Sequence, residues 1–180
     1  MISNHRPDLL YREVQYFRQP WLWAIVLAVA GLSIFAMVEQ LILGESFGSN
    51  PSPDVVVLII SIVFGLGLPV LFYRANLTME VTRDGIHYRF FPFHLSPQKI
   101  PLGEVKTYGV ITYSPLRDYG GWGIRYGSKG KAYNVSGNRG VRLELSNGKR
   151  ILIGSQKTEA LFQAIASAIK EVARREDEGW

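Results

Sequence analysis

Two stretches without a formal charge dominate what this chain can become. The first runs 20 residues from Gln19 to Val38, the second 19 residues from Val55 to Tyr73. As helix, at about 1.5 Å of rise per residue, each spans roughly the 30 Å hydrocarbon layer of a bilayer. One such run could be a buried core helix. Two, with enough chain after them to build a separate core, predict transmembrane helices at about 19–43 and 54–74, joined by a loop at about 44–53. A cleaved signal would have a shorter apolar region ending in small residues. Here the first run continues into Glu39-Gln40-Leu41-Ile42-Leu43, which predicts a retained helix.

Charge orients the pair. The segment before the first run carries Arg6, Arg12 and Arg18, and Arg74, Arg83 and Arg89 follow the second. The connecting loop has Glu39, Glu45 and Asp54 and no Lys or Arg. The positive-inside rule predicts a hairpin in the cell's inner or plasma membrane, with both termini cytoplasmic and the loop outside. Trp21, Trp23 and Tyr73 then fall at the cytoplasmic interface, where amphipathic rings anchor helix ends. Neither run contains Asp, Glu, Lys, Arg or His, so nothing marks an ion path or proton relay, and a channel or transporter is not expected. Gly65 and Gly67 predict close helix packing, and Pro69 a kink.

From Arg74 onward, 17 Lys and Arg stand against 10 Asp and Glu. The pattern there is β-rich. Leu77–Thr82 and Ile86–Phe91 flank an Asp84-Gly85 turn, and a third strand is expected from Ile100 through Tyr113. Gly120-Gly121, Gly127-Ser128-Lys129-Gly130, Gly137-Asn138-Arg139-Gly140 and Asn147-Gly148 are turn signals around further strands at 122–126, 131–135, 141–145 and 149–153. Leu161, Phe162, Ile165, Ala168, Ile169 and Val172 recur at helical spacing and predict a C-terminal helix at about 157–175, with Ser155 or Thr158 as candidate cap. The resulting division is an arm at 1–18, a hairpin at 19–74 and a domain at 75–180. The arm's Tyr11, Tyr16 and Phe17 could lie in the membrane interface or pack on the domain; both readings stay open.

Short antiparallel strands followed by one amphipathic helix, directly after two membrane helices, resemble the bacterial pleckstrin-homology-like (PH-like) membrane proteins. The residues that carry the resemblance are Val81 to Ile86, the strand entry Ile100–Val105, Gly121-Trp122-Gly123-Ile124-Arg125, Gly140-Val141, the Asn147-Gly148 hairpin and Ile153-Gly154-Ser155-Gln156-Lys157. The fold class expected is an α+β membrane protein. It comprises a two-helix transmembrane hairpin and a PH-like β-barrel or sandwich of about seven antiparallel strands capped by a C-terminal helix. These motifs are turns and strands, so what the resemblance implies is a binding or scaffolding module rather than a reaction.

Searches for chemistry narrow the field. There is no cysteine, hence no disulfide, thiolate ligand or thiol nucleophile. Gly130-Lys131 is followed by Ala132 and Gly148-Lys149 by Arg150, so neither makes a P-loop. Gly121-x-Gly123 lacks its third glycine, Tyr126 standing in that place. His87 and His94 are too few for a metal centre, and nothing resembles a nucleophile elbow. Asn76-Leu77-Thr78 and Asn134-Val135-Ser136 match a glycosylation pattern, on the face the topology keeps cytoplasmic. No enzyme, cofactor or metal is expected.

The feature with functional promise is a basic and aromatic middle. Arg117, Arg125, Lys129, Lys131, Arg139 and Arg142 are interleaved with Tyr113, Tyr119, Trp122, Tyr126 and Tyr133. Such residues near an anionic leaflet gain about 1 kcal/mol per cation. Trp122, Arg125, Lys129, Lys131 and Arg139 are the candidate contact residues, for anionic phospholipid head groups or a membrane-protein partner. The alternative is a structural subunit that assembles as a homo-oligomer in the bilayer. Nucleic acid is not an expected partner, since no reading motif accompanies the modest charge.

Overall fold

The structure, a computed structural model, describes residues 8–48 and 50–178. The described residues divide into two compact units, one within 17–75 and the other of 8–16 with 76–178.

The first unit is the helical pair. Helix α1 (Pro20–Ile42) and helix α2 (Asp54–Arg74) are each long and apolar enough to cross a membrane. Most of their side chains are uncovered, and the exceptions define a seam: Val26, Ala30 and Ser33 on α1 against Val57, Ser61 and Gly65 on α2. The spacing of three or four keeps each set on one face. Ser61 Oγ lies 2.7 Å from Ser33 O across the seam and 2.9 Å from Val57 O on its own helix. A Cβ at Gly65 would come within 3.0 Å of Ile34 Cγ1, so the glycine permits the approach. The expected disturbance at Pro69 takes the form of a widened π-helical turn over Ser61–Gly67. Proline offers no N–H to the carbonyl four residues back and its ring crowds that carbonyl, so the turn before it opens. At the loop end, Gln40 Nε2 donates to Ser52 O at 2.6 Å and Asp54 Oδ1 at 2.8 Å, tying the two helices together. At the other end Trp23 Nε1 donates to Phe17 O at 2.8 Å.

The second unit holds two sheets and a helix. The first sheet is β1 (Leu9–Tyr16), β2 (Asn76–Thr82), β3 (Gly85–Phe91) and β4 (Gln98–Ile100), in that spatial order. The second contains β5 (Val105–Thr112), β6 (Gly123–Gly127), β7 (Gly130–Asn134), β8 (Arg139–Leu145) and β9 (Arg150–Gly154), in the order β5-β8-β9-β7-β6. A short helix α3 (Pro115–Tyr119) links β5 to β6, and helix α4 (Thr158–Glu178) ends the described chain. Strand alternation builds the core. Leu77, Met79 and Val81 of β2 pair with Phe90, Tyr88 and Ile86 of β3, all buried on one face. Val141, Leu143 and Leu145 do the same on β8, while Leu161, Ile165 and Ala168 bring the apolar stripe of α4 against both sheets.

Four expectations are corrected. The sheets are open and form no closed barrel. There are nine described strands rather than about seven, and β7 runs parallel to β9, so the set is not wholly antiparallel. The single strand expected from Ile100 to Tyr113 is two, one in each sheet. Pro101 cannot donate to a ladder, and a tight turn closed by Glu104 N on Pro101 O, at 3.1 Å, moves the chain from one sheet to the other.

The arm before α1 contributes β1, antiparallel to β2 with Tyr16 opposite Asn76 and Glu13 opposite Met79. That register turns Tyr11, Glu13 and Gln15 inward and Leu10, Val14 and Tyr16 outward, the reverse of what polarity alone would choose. Polar partners hold it there. The Glu13 carboxylate accepts from Tyr11 OH at 2.7 Å, Ser155 Oγ at 2.6 Å and Gln156 N at 3.0 Å. Gln15 Nε2 donates to Gly154 O at 2.8 Å. The carboxylate thus sits on the backbone just before α4, where negative charge is favoured by the helix dipole. An inward charge on an edge strand also discourages unwanted strand pairing.

Candidate functional site

The cations of the domain are easiest to sort by what already satisfies them. Lys129 Nζ is 3.1 Å from Asp118 Oδ1, and Arg139 pairs with Glu159 of α4. Arg125 folds back so that its Nε donates to Trp122 O at 2.9 Å. The Trp122 indole donates to Gly137 O at 3.1 Å. Of the five residues singled out in the sequence, these four each have a partner within the domain. The fifth, Lys131, is different. Its ammonium rests 4.9 Å from the ring centroids of both Tyr126 and Tyr133. Aromatic faces hold an ammonium in place without cancelling its charge.

Lys131 lines a groove of about 600 Å³. One wall comes from the β6–β7 hairpin, with Tyr126, Gly127, Gly130, Lys131 and Tyr133; another from the β8–β9 hairpin, with Asn147, Lys149 and Arg150. Tyr88, Lys99 and Ile100 of the first sheet complete it, and Glu104 is the one carboxylate among the lining residues. Lys99 is engaged with Asp84 at 2.6 Å and Arg150 approaches Glu144 at 3.8 Å. Among the described residues, Lys131 and Lys149 have no carboxylate partner within ion-pair distance. The groove thus presents Lys131 and Lys149, neither in an ion pair, beside three tyrosines and the single carboxylate of Glu104.

Its shape follows from pairings that the sequence hides. The parallel register Lys131↔Ile151 lays the β6–β7 hairpin beside the β8–β9 hairpin, so Lys131 and Arg150 become neighbours across strands. Gly130 permits this closeness. It has φ of 110°, and a Cβ there would collide with Arg150 O. Asn134 fixes the base of the β6–β7 hairpin, accepting from Gly123 N at 2.9 Å and donating to Tyr113 OH at 3.1 Å.

A ring cluster adjoins the groove. Tyr133 OH donates to Tyr88 OH at 3.3 Å, and the His94 ring lies 5.9 Å from Tyr88 and 5.7 Å from Tyr133. Burial, then the Tyr88 hydrogen bond, pushes the Tyr133 phenol well above its usual range. Burial, aided by the Lys131 charge, holds His94 below the ordinary histidine value. Lys99, Lys149, Arg150 and Tyr88 were not singled out from the sequence. The Asn147-Gly148 turn immediately before Lys149-Arg150 was the available signal, because it places both cations at a hairpin tip.

The chemistry open to this groove is recognition of an anion, with ammonium groups for charge and tyrosines for contact. Among the described residues no group of three His, Asp or Glu side chains could hold a metal ion. No curated protein sequence matches the chain. The model of a family of unknown function, DUF6141, matches residues 3–172, from the start of the arm into α4, and the chain belongs to that family.

Proposed function

We propose that the chain is a non-enzymatic, membrane-anchored binding module of PH-like arrangement that recognises anionic phospholipid head groups. In this reading α1 and α2 span the inner or plasma membrane, with the two-sheet domain on the cytoplasmic side. The observation that carries it is the convergence of Lys131 and Lys149, both without carboxylate partners, on one tyrosine-lined groove. A phosphate near an ammonium at about 4 Å gains roughly 1 to 4 kcal/mol, depending on how much water remains. Two such contacts are weak in solution. A domain tethered to the bilayer by two helices meets lipid at high effective concentration, so weak contacts suffice. The outward-facing apolar surface of the hairpin and the charge bias around it support the membrane reading.

The test uses the full chain in a neutral detergent, because β1 belongs to the sheet and a fragment starting at residue 76 would lack it. Thermal unfolding is followed with dihexanoyl phosphatidylglycerol, dihexanoyl phosphatidylcholine or inorganic phosphate. At a ligand concentration about a hundredfold above Kd, binding adds roughly 2.7 kcal/mol. Stabilisation by the anionic lipid alone, lost in Lys131→Ala/Lys149→Ala, supports the reading. An equal response to inorganic phosphate replaces the lipid with a soluble anion. No response to any of the three removes the anion and directs the search to a protein partner.

A further inference from the structure

The loop between β3 and β4, Pro92-Phe93-His94-Leu95-Ser96-Pro97, leaves two large apolar side chains in the open. Phe93 is 67% exposed and Leu95 83%. His94 between them turns inward onto Tyr88 and Tyr133, and its backbone N–H is bonded to Phe90 O at 2.8 Å. The loop is therefore held from one side, by His94 and by the Phe93 ring, whose centroid is 6.0 Å from that of Phe90, while Leu95 and most of Phe93 stay uncovered. The segment carries no formal charge. Exposed apolar clusters of this kind mark contact surfaces.

Strand register says where the loop emerges. Tyr16 of β1 is paired with Asn76 of β2, and Asn76 with Phe91 of β3. These three residues form one end of the first sheet. From this same end the chain departs at Tyr16 toward α1, arrives at Asn76 from α2, and leaves Phe91 for the loop. Only residue 75 separates Arg74, the last residue of α2, from Asn76. With at most roughly 3.5 Å per residue along the chain and about 5 Å across a strand pair, Phe93 lies within roughly 12 Å of Asn76, where the chain re-enters the sheet. The opposite end of the sheet, at Asp8, Thr82 and Arg83, is a strand length further away.

We propose that the Pro92–Pro97 loop is an interfacial anchor, with Phe93 and Leu95 lying in the head-group region of the bilayer that α1 and α2 cross. The inference rests on the membrane-spanning reading of the hairpin and is independent of what the groove binds. Its occupant is the bilayer surface, because the strand register brings the loop out where the covalent chain enters and leaves the two apolar helices. Tyr16 and Phe91 at the same sheet end add aromatic rings of the kind enriched at membrane interfaces. The anchor would restrict how the domain tilts over the lipid.

The absence of cysteine makes the test direct. Phe93→Cys, Leu95→Cys, Asp8→Cys and Leu27→Cys are spin-labelled singly in the full chain and reconstituted into vesicles of phosphatidylcholine with phosphatidylglycerol. Accessibility to dissolved oxygen and to a water-soluble nickel chelate is then compared. Leu27 on α1 reports whether the hairpin is in lipid, and Asp8 reports the far end of the sheet. The expected result is nickel accessibility severalfold lower at 93 and 95 than at 8, with Leu27 the most protected. Labels at 93 and 95 as open to nickel as the one at 8, beside a protected Leu27, overturn the anchor and leave the hairpin standing. An open Leu27 overturns both.

Discussion

Replacing Glu13 with alanine should loosen the domain from its first strand. The carboxylate is buried and accepts three hydrogen bonds, from Tyr11 OH, Ser155 Oγ and Gln156 N. A buried donor left without its acceptor costs about 1 to 3 kcal/mol. Three such losses are offset by relief from desolvating a charge and by water entering the gap, which brings the net to about 3 kcal/mol. For a unit of this size that lowers Tm by roughly 10 °C. Glu13→Gln should be much milder, about 1 kcal/mol, since its amide oxygen can still accept from Gln156 N and both hydroxyls can rotate to accept from its NH2. The assay is thermal unfolding of the full chain in neutral detergent, with hydrogen exchange of peptides from β1 and from residues 150–160. Glu13→Ala should lose amide protection in both peptides together, because one side chain connects them. A Tm within about 1 °C of the parent, with β1 still protected, would refute the claim that this carboxylate holds the strand in its register.

Acidification offers a second check. His94 has its native pKa depressed by burial and by Lys131, so the unfolded chain binds its proton more readily. Its contribution is complete above about pH 6.5 and is lost as pH falls through the lower native value. His94→Phe should flatten that part of the Tm-against-pH curve, and an unchanged slope would count against the assignment. An anion seated beside Lys131 would cancel part of that charge, so NMR titration of His94 should show its pKa rising when dihexanoyl phosphatidylglycerol is added. Asp84, held well below the usual carboxylate range by hydrogen bonds from Lys99 and then Thr82, should matter only in acid. Its exposed side chain makes the effect small, present above about pH 4 and fading below, and absent in Asp84→Asn. Gly130→Ala would place a methyl group against Arg150 O, so it should part the hairpins at the groove and lower Tm by roughly 5 °C or more. Gly65→Leu should separate α1 from α2, read as lost disulfide formation between Ser33→Cys and Ser61→Cys in the same chain.

Much of the architecture is local and therefore legible along the chain. The two uncharged runs need only a count of residues against the thickness of a bilayer, and the helices lie at Pro20–Ile42 and Asp54–Arg74. Asp84-Gly85 and Asn147-Gly148 are turns whose backbone requirements are written in two residues. The stripe of Leu161, Ile165 and Ala168 determines which face of α4 is buried before any sheet exists. Tertiary structure alone decided what depends on partners distant in sequence. The inward register of Glu13 and Gln15 contradicts simple polarity and is stabilised by Gly154, Ser155 and Gln156, some 140 residues away. Lys131 and Lys149 share a groove because β7 pairs in parallel with β9, and hydrogen-bonded ladders between separated strands leave no periodic trace in either. Proximity along the chain singles out Lys131 with Trp122, Arg125, Lys129 and Arg139, but not Lys149. Folding gives Trp122, Arg125, Lys129 and Arg139 partners within the domain: the three cations reach a carboxylate or carbonyl, and the Trp122 indole donates to Gly137 O.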